Sequence, residues 1–112
     1  MNVNVTFRNI ETTQALKDYS QQKLEKVRKV LVKAINADVV LSTERHQHIA
    51  EVTIAAKDTT FKGTEKADDM YAAIDLVMDK VERQARRHKE RTKQKKGRAS
   101  VKDQPTAEEG EF

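Results

Sequence analysis

The chain contains no cysteine, no tryptophan, one proline (Pro105) and three glycines among its 112 residues. Without a thiol there is no disulfide framework, no thiolate zinc site and no cysteine nucleophile. So few glycines leave no phosphate-cradling loop and no dinucleotide fingerprint. Aromatic residues make up 4% of the chain, and neither Tyr19 nor Tyr71 falls in an expected strand. That argues against a sheet surface that stacks single-stranded bases. Met1 is followed by alternating polar residues rather than an apolar stretch, so no secretory signal is expected. No apolar run approaches the roughly 18 residues of a membrane span. A Ser/His/Asp arrangement is also missing. The expectation is a cytoplasmic, cofactor-free binding protein with no membrane partner, not an enzyme.

What the chain has in quantity is charge. Charged residues make up 36% and hydrophobic residues 37%, enough for one modest core. The formal net charge is +4. Beyond Ala99 a single Lys102 stands against Asp103, Glu108, Glu109 and Glu111, so this segment carries −3 and residues 1–98 carry the balancing +7. The segment also holds Pro105 and Gly110 and shows no periodicity. The expected organisation is one folded domain, 1–98, and an acidic disordered tail, 99–112. A basic body of this kind suits a polyanionic partner.

Periodicity gives the order of elements. Val3, Val5 and Phe7 alternate with polar residues as in a half-buried strand. Thr13 can cap a helix from Ala15 to about Lys33, whose apolar face is Leu16, Tyr19, Leu24, Val27, Val30 and Leu31. Asn36 is the expected helix stop, since asparagine tolerates a left-handed backbone. Ala37–Thr43 and Ile49–Ala56 read as strands around a polar loop, Glu44–His48. Lys57-Asp58 turns the chain into a last strand, Thr59–Thr64, in which Gly63 marks a bulge or a close approach of a helix. A long helix then runs from Asp68 to Arg98, started by Asp68 or Asp69 as a cap. Met70, Ile74, Val77, Val81 and Ala85 form its apolar stripe. Lys80, Arg83, Arg87 and Arg91 form a second stripe roughly a quarter-turn away. The order β-α-β-β-β-α implies an α+β two-layer sandwich, with both helices on one face of a mainly antiparallel four-stranded sheet.

His46 and His48 have the spacing that can place two imidazoles on one strand face, but no third ligand is fixed by spacing, so no metal site is expected. His88 continues the apolar stripe of the long helix and is expected to pack over its end. Asp75, Asp79 and Glu82 read as a solvated helix face. The cations stand above this background. On the first helix Lys17, Lys23, Lys26, Arg28, Lys29 and Lys33 face only Asp18 and Glu25. If the helices lie side by side, their cationic flanks could join into one phosphate-binding surface. From the residues alone, the chain is a small RNA-binding domain that reads shape and backbone.

Two stretches carry a resemblance. Ala15-Leu16-Lys17-Asp18-Tyr19 with Lys23-Leu24-Glu25-Lys26-Val27 resembles the first helix of the ribosome hibernation and ribosome-associated inhibitor family. Asp69-Met70-Tyr71-Ala72-Ala73-Ile74-Asp75 with Asp79-Lys80-Val81-Glu82-Arg83-Gln84 is similar to that family's second-helix signature. The likeness covers roughly residues 1–95. It implies the same fold and a translation inhibitor that binds the small ribosomal subunit and its rRNA, and whole ribosomes. Such a protein blocks the messenger and transfer RNA sites and silences ribosomes in stress or stationary phase, and it is a monomer when free. The matching RNA-binding positions are Lys23, Lys26 and Lys29 on the first helix. On the second they are Lys80, Arg83, Arg86, Arg87, Lys89 and Arg91. The acidic tail is similar to the subtype linked to inactive single ribosomes, whereas Met70–Arg91 is at least as similar to the subtype linked to ribosome dimers. The alternative to a ribosome-binding role is a protein-interaction module that modulates a transcription factor.

Overall fold

In the computed structural model, residues 2–31, 33–57 and 59–97 are described, the last helix with side chains as far as Lys89. The expected tail, 99–112, lies outside the described residues. The elements are β1 (Asn2–Arg8), α1 (Gln14–Val30), β2 (Ala34–Glu44), β3 (Gln47–Ala56), β4 (Thr60–Ala67) and α2 (Met70–Gly97). The strands form one sheet in the order β1-β2-β3-β4. β1 pairs parallel with β2, while β2–β3 and β3–β4 are antiparallel, so the sheet is mixed. A parallel pair needs a crossover, and α1 provides it. Because β2 and β4 share one direction and a helix follows each of β1 and β4, the two helices also run in one direction.

Both helix starts follow from local chemistry. Thr13 is extended, and its hydroxyl accepts from the Leu16 amide at 3.2 Å. Asp69, rather than Asp68, caps α2, accepting from Tyr71 and Ala72 amides at 2.7 and 3.2 Å. The end of α1 differs from expectation. The helix stops at Val30 with Leu31 as cap, whose amide donates to the Val27 carbonyl at 3.0 Å. Asn36 is not a helix stop but sits in β2, where its side chain accepts from Asn2 across the parallel pair. The edge-side pairing of β2 holds it extended, and that tertiary constraint overrides its local preference. The loop between β2 and β3 is also shorter than expected. The ladder continues to Glu44 opposite Gln47, leaving Arg45 and His46 as the turn, with Arg45 in the left-handed region at φ 59°. His48 consequently lies within β3, opposite Thr43 and Ala67. The turn before β4 keeps Lys57, while Asp58 is outside the described residues.

Alternation along the strands sends Ala37, Val39 and Leu41 of β2 and Ala50, Val52 and Ile54 of β3 under the helices, all buried. Leu24 and Val27 of α1 and Ile74, Val77, Val81 and Ala85 of α2 close the core from above. Removing a side chain such as Leu24 to alanine from such a core costs about 2–5 kcal/mol. Gly63 explains how closely α2 can lie on β4. A Cβ at that position would stand 3.3 Å from Val81 and 3.4 Å from Val77. Gly63 thus marks a helix approach and not a bulge, since β3 and β4 pair in unbroken register through it. His88 packs edge-on to Phe61 with ring centroids 5.5 Å apart, carrying the apolar stripe one turn past Ala85.

Candidate nucleic-acid interface

Of the nine expected RNA-binding cations, Lys23, Lys26 and Lys29 stand on α1 and Lys80, Arg83, Arg86, Arg87, Lys89 and Arg91 on α2. Tyr19 and Tyr71 meet edge-to-face with centroids 4.9 Å apart and mark the seam between the helices. At about 100° per residue, Lys23 and Lys26 follow Tyr19 along the edge of α1 that faces α2. On α2, Arg86 and Lys89 share the flank of Tyr71 that faces α1. Lys80, Arg83 and Arg87 lie on the opposite flank. That flank overlooks β4, where the Lys80 ammonium is 3.2 Å from Glu65 and the Gln84 amide donates to the Lys62 carbonyl at 3.0 Å. An acidic crest of Asp75, Asp79 and Glu82 runs along the Tyr71 flank, interleaved with Arg86 and Lys89. The cations of α2 are thus split between two flanks, and the flank that faces α1 is interleaved with carboxylates. Helix rotation set by the apolar stripe is the physical reason: the residues that must meet the sheet decide which flank faces the neighbour.

The crest also holds several cations in place. Asp75 accepts from the Tyr19 hydroxyl at 2.5 Å and lies 3.4 Å from the Lys23 ammonium. That hydrogen bond, more than burial or charge, raises the Tyr19 pKa, and the Asp75 charge is the main reason the Lys23 pKa is raised. Arg83 pairs with Asp79 and Arg86 with Glu82, both one turn apart. Exposed pairs of this kind are worth about 0.3–0.5 kcal/mol, so a phosphate can take over the guanidinium at small cost. Lys26, Lys29, Arg87 and Lys89 are exposed and make no ion pair among the described residues. Arg91 lies in α2, but its side chain is outside the described residues.

The acid partners were the residues sequence reasoning missed. For Arg83 and Arg86 the signal was present, since a carboxylate four residues earlier is the favoured order on a helix. No spacing rule signals that Asp75 reaches Lys23 or that Glu65 reaches Lys80, because those pairs form only on packing. Likewise, register alone places Lys33 and Lys57 just beyond the Ala34–Ala56 pair, before β2 and after β3. Among the described residues no group of three His, Cys, Asp or Glu side chains could hold a metal ion, and no helix is long and apolar enough to cross a membrane.

A two-helix layer on a mixed four-stranded sheet, with cations along exposed helix flanks, defines a small α+β binding protein. The chain belongs to the sigma 54 modulation protein / S30EA ribosomal protein family, which it matches over residues 3–93. That is a family of non-enzymatic binding proteins. A ribosome hibernation promoting factor of Pseudomonas putida is 36% identical over 91 residues, covering 81% of this chain and 89% of the relative. The ribosome hibernation promotion factor of Bacillus subtilis is 37% identical over 98 residues, which is 85% of this chain but 52% of that longer protein. Among solved structures, the Thermus thermophilus Protein Y N-terminal domain superposes with a TM-score of 0.72 at 32% identity, over 79% of this chain and 99% of that domain. A ribosomal subunit interface protein from Coxiella burnetii, at 22% identity and a TM-score of 0.76, shares the fold.

Proposed function

We propose that this protein is a ribosome-associated hibernation factor. It binds the small ribosomal subunit and its rRNA through the basic strips of α1 and α2. There it blocks the messenger and transfer RNA sites and inactivates ribosomes in stress or stationary phase. Its site of action is the cytoplasm, and it acts as a monomer, with residues 1–98 as the ribosome-binding domain. The observation that carries the reading is the family match across residues 3–93, which includes both basic helices. Lys26, Lys29, Arg87 and Lys89, exposed and without an ion pair among the described residues, support it, because cations on a rigid element are ready phosphate contacts.

Sedimentation of stationary-phase lysates tests the reading. The protein is expected in small-subunit and whole-ribosome fractions, and its absence from both would reject it. A variant carrying Lys26→Glu, Lys29→Glu and Arg87→Glu is expected to lose at least about 100-fold in affinity while unfolding at the same temperature. All three side chains lie off the apolar stripes, so the fold does not depend on them.

A further inference from the structure

We propose that the end of the molecule where α1 stops and β3 turns toward β4 is an additional RNA-contacting surface. Lys33 and Lys57 are its phosphate contacts, and Ile35 is its apolar contact to a sugar or base edge. The inference rests on the ribosome-binding reading and adds residues from two loops and a strand to it.

Strand register carries the argument. Ala34 pairs with Ala56 in the antiparallel β2–β3 ladder, so Lys33 and Lys57 stand one residue beyond that pair on adjacent strands. Both are exposed, and neither makes an ion pair among the described residues. Backbone register so places two cations at neighbouring strand ends, a placement that suits an anionic ligand. The next pair in the ladder is Asn36 with Ala55, so Ile35 is an extra, bulged residue. Bulges re-aim a side chain, and this one leaves a large apolar side chain 52% exposed beside Lys33. Cations next to an exposed apolar group suit a nucleic acid, which offers phosphates and apolar sugar and base edges together.

Charge is sorted along the molecule in the same sense. The opposite end, with the β2–β3 turn and the helix starts, sets Glu11, Asp18, Glu44, Asp68 and Asp69 against Arg8, Lys17, Arg45 and Lys66. The end proposed here gathers Lys29, Lys33, Lys57, Arg87 and Lys89. Helix dipoles account for part of this sorting, because cations favour helix C-termini. They do not account for Lys57, which belongs to a strand connection. Arg28 and Lys29 already occupy the last turn of α1.

The test is equilibrium binding of the full chain to purified small ribosomal subunits across a salt series. Each phosphate contact contributes roughly 0.7–0.9 to the slope of log affinity against log salt. Lys33→Gln with Lys57→Gln is expected to lower that slope by about 1.5 and the affinity at low salt by about tenfold. Ile35→Ser is expected to weaken binding at every salt concentration with the slope unchanged. Arg45→Gln with Lys66→Gln, at the opposite end, is expected to match the parent chain. A parent chain that binds steeply with salt, alongside a Lys33/Lys57 variant indistinguishable from it, overturns this inference and leaves the ribosome reading standing. Equal weakening by the Arg45/Lys66 variant also overturns it, since the effect would then be one of net charge. A parent chain that does not bind the subunit overturns both.

Discussion

At the scale of single residues, Asp75 organises the seam between the helices. It takes a hydrogen bond from Tyr19 and a charge contact from Lys23, whose ammonium also sits 5.4 Å from the centre of the Tyr19 ring. Tyr19 and Lys23 both have raised pKa values, from ordinary values of 10.0 and 10.5. A raised folded-state pKa means the protonated form is favoured by folding. The contribution is therefore complete below pH 10 and is lost as pH rises through the folded-state values. Stability is expected to fall on the alkaline side, and Asp75→Asn is expected to make that fall shallower. Urea denaturation between pH 9 and 12 measures both chains. Identical pH profiles would show that Asp75 is not the source. Nothing in the sequence marked Asp75 as the partner of Tyr19 or Lys23, because the two helices meet only in the folded chain.

At the scale of elements, α2 is two things in succession. Its first half is held on the sheet by Met70, Ala73, Ile74, Val77 and Val81, all buried, and its close seat depends on Gly63. Gly63→Val would push added methyl groups against Val77 and Val81, and is expected to destabilise by about 1–3 kcal/mol. Gly63→Ala adds one carbon at 3.3 Å from Val81 and is expected to cost much less. Thermal or urea unfolding separates the two. A valine variant as stable as the parent would mean that α2 can lift from β4. Element types and most boundaries were legible in the sequence, since periods of 3.6 and 2 and the Thr13 and Asp69 caps are local signals. The stop of α1 was not, because Asn36 is claimed by strand pairing with β1 and β3. The true length of the β2–β3 hairpin was hidden for the same reason: polar residues that read as loop extend the ladder.

At the scale of the whole molecule, parallel helices place both basic C-terminal halves at one end and both caps at the other. Parallel dipoles side by side favour this sorting, with acids by the helix starts and cations by the helix ends. A body so polarised is expected to bind polyanions with strong salt dependence, log affinity falling linearly with log salt. Titration of small subunits at several potassium concentrations measures this, and a flat response would exclude phosphate contacts as the source of affinity.

The long basic helix and its motif, the alternating strands, the caps and the cationic excess of residues 1–98 were determined by the sequence alone, because each depends on neighbours a few residues away. The division of the cations was decided by the tertiary structure. Burial of one stripe fixes the rotation of α2, which turns Lys80, Arg83 and Arg87 away from α1 and sets Asp75 and Glu82 on the flank toward it. Register fixed the rest. It set Ala34 against Ala56, with Lys33 and Lys57 just beyond, and expelled Ile35 from the ladder, a pairing of distant positions that no local pattern encodes.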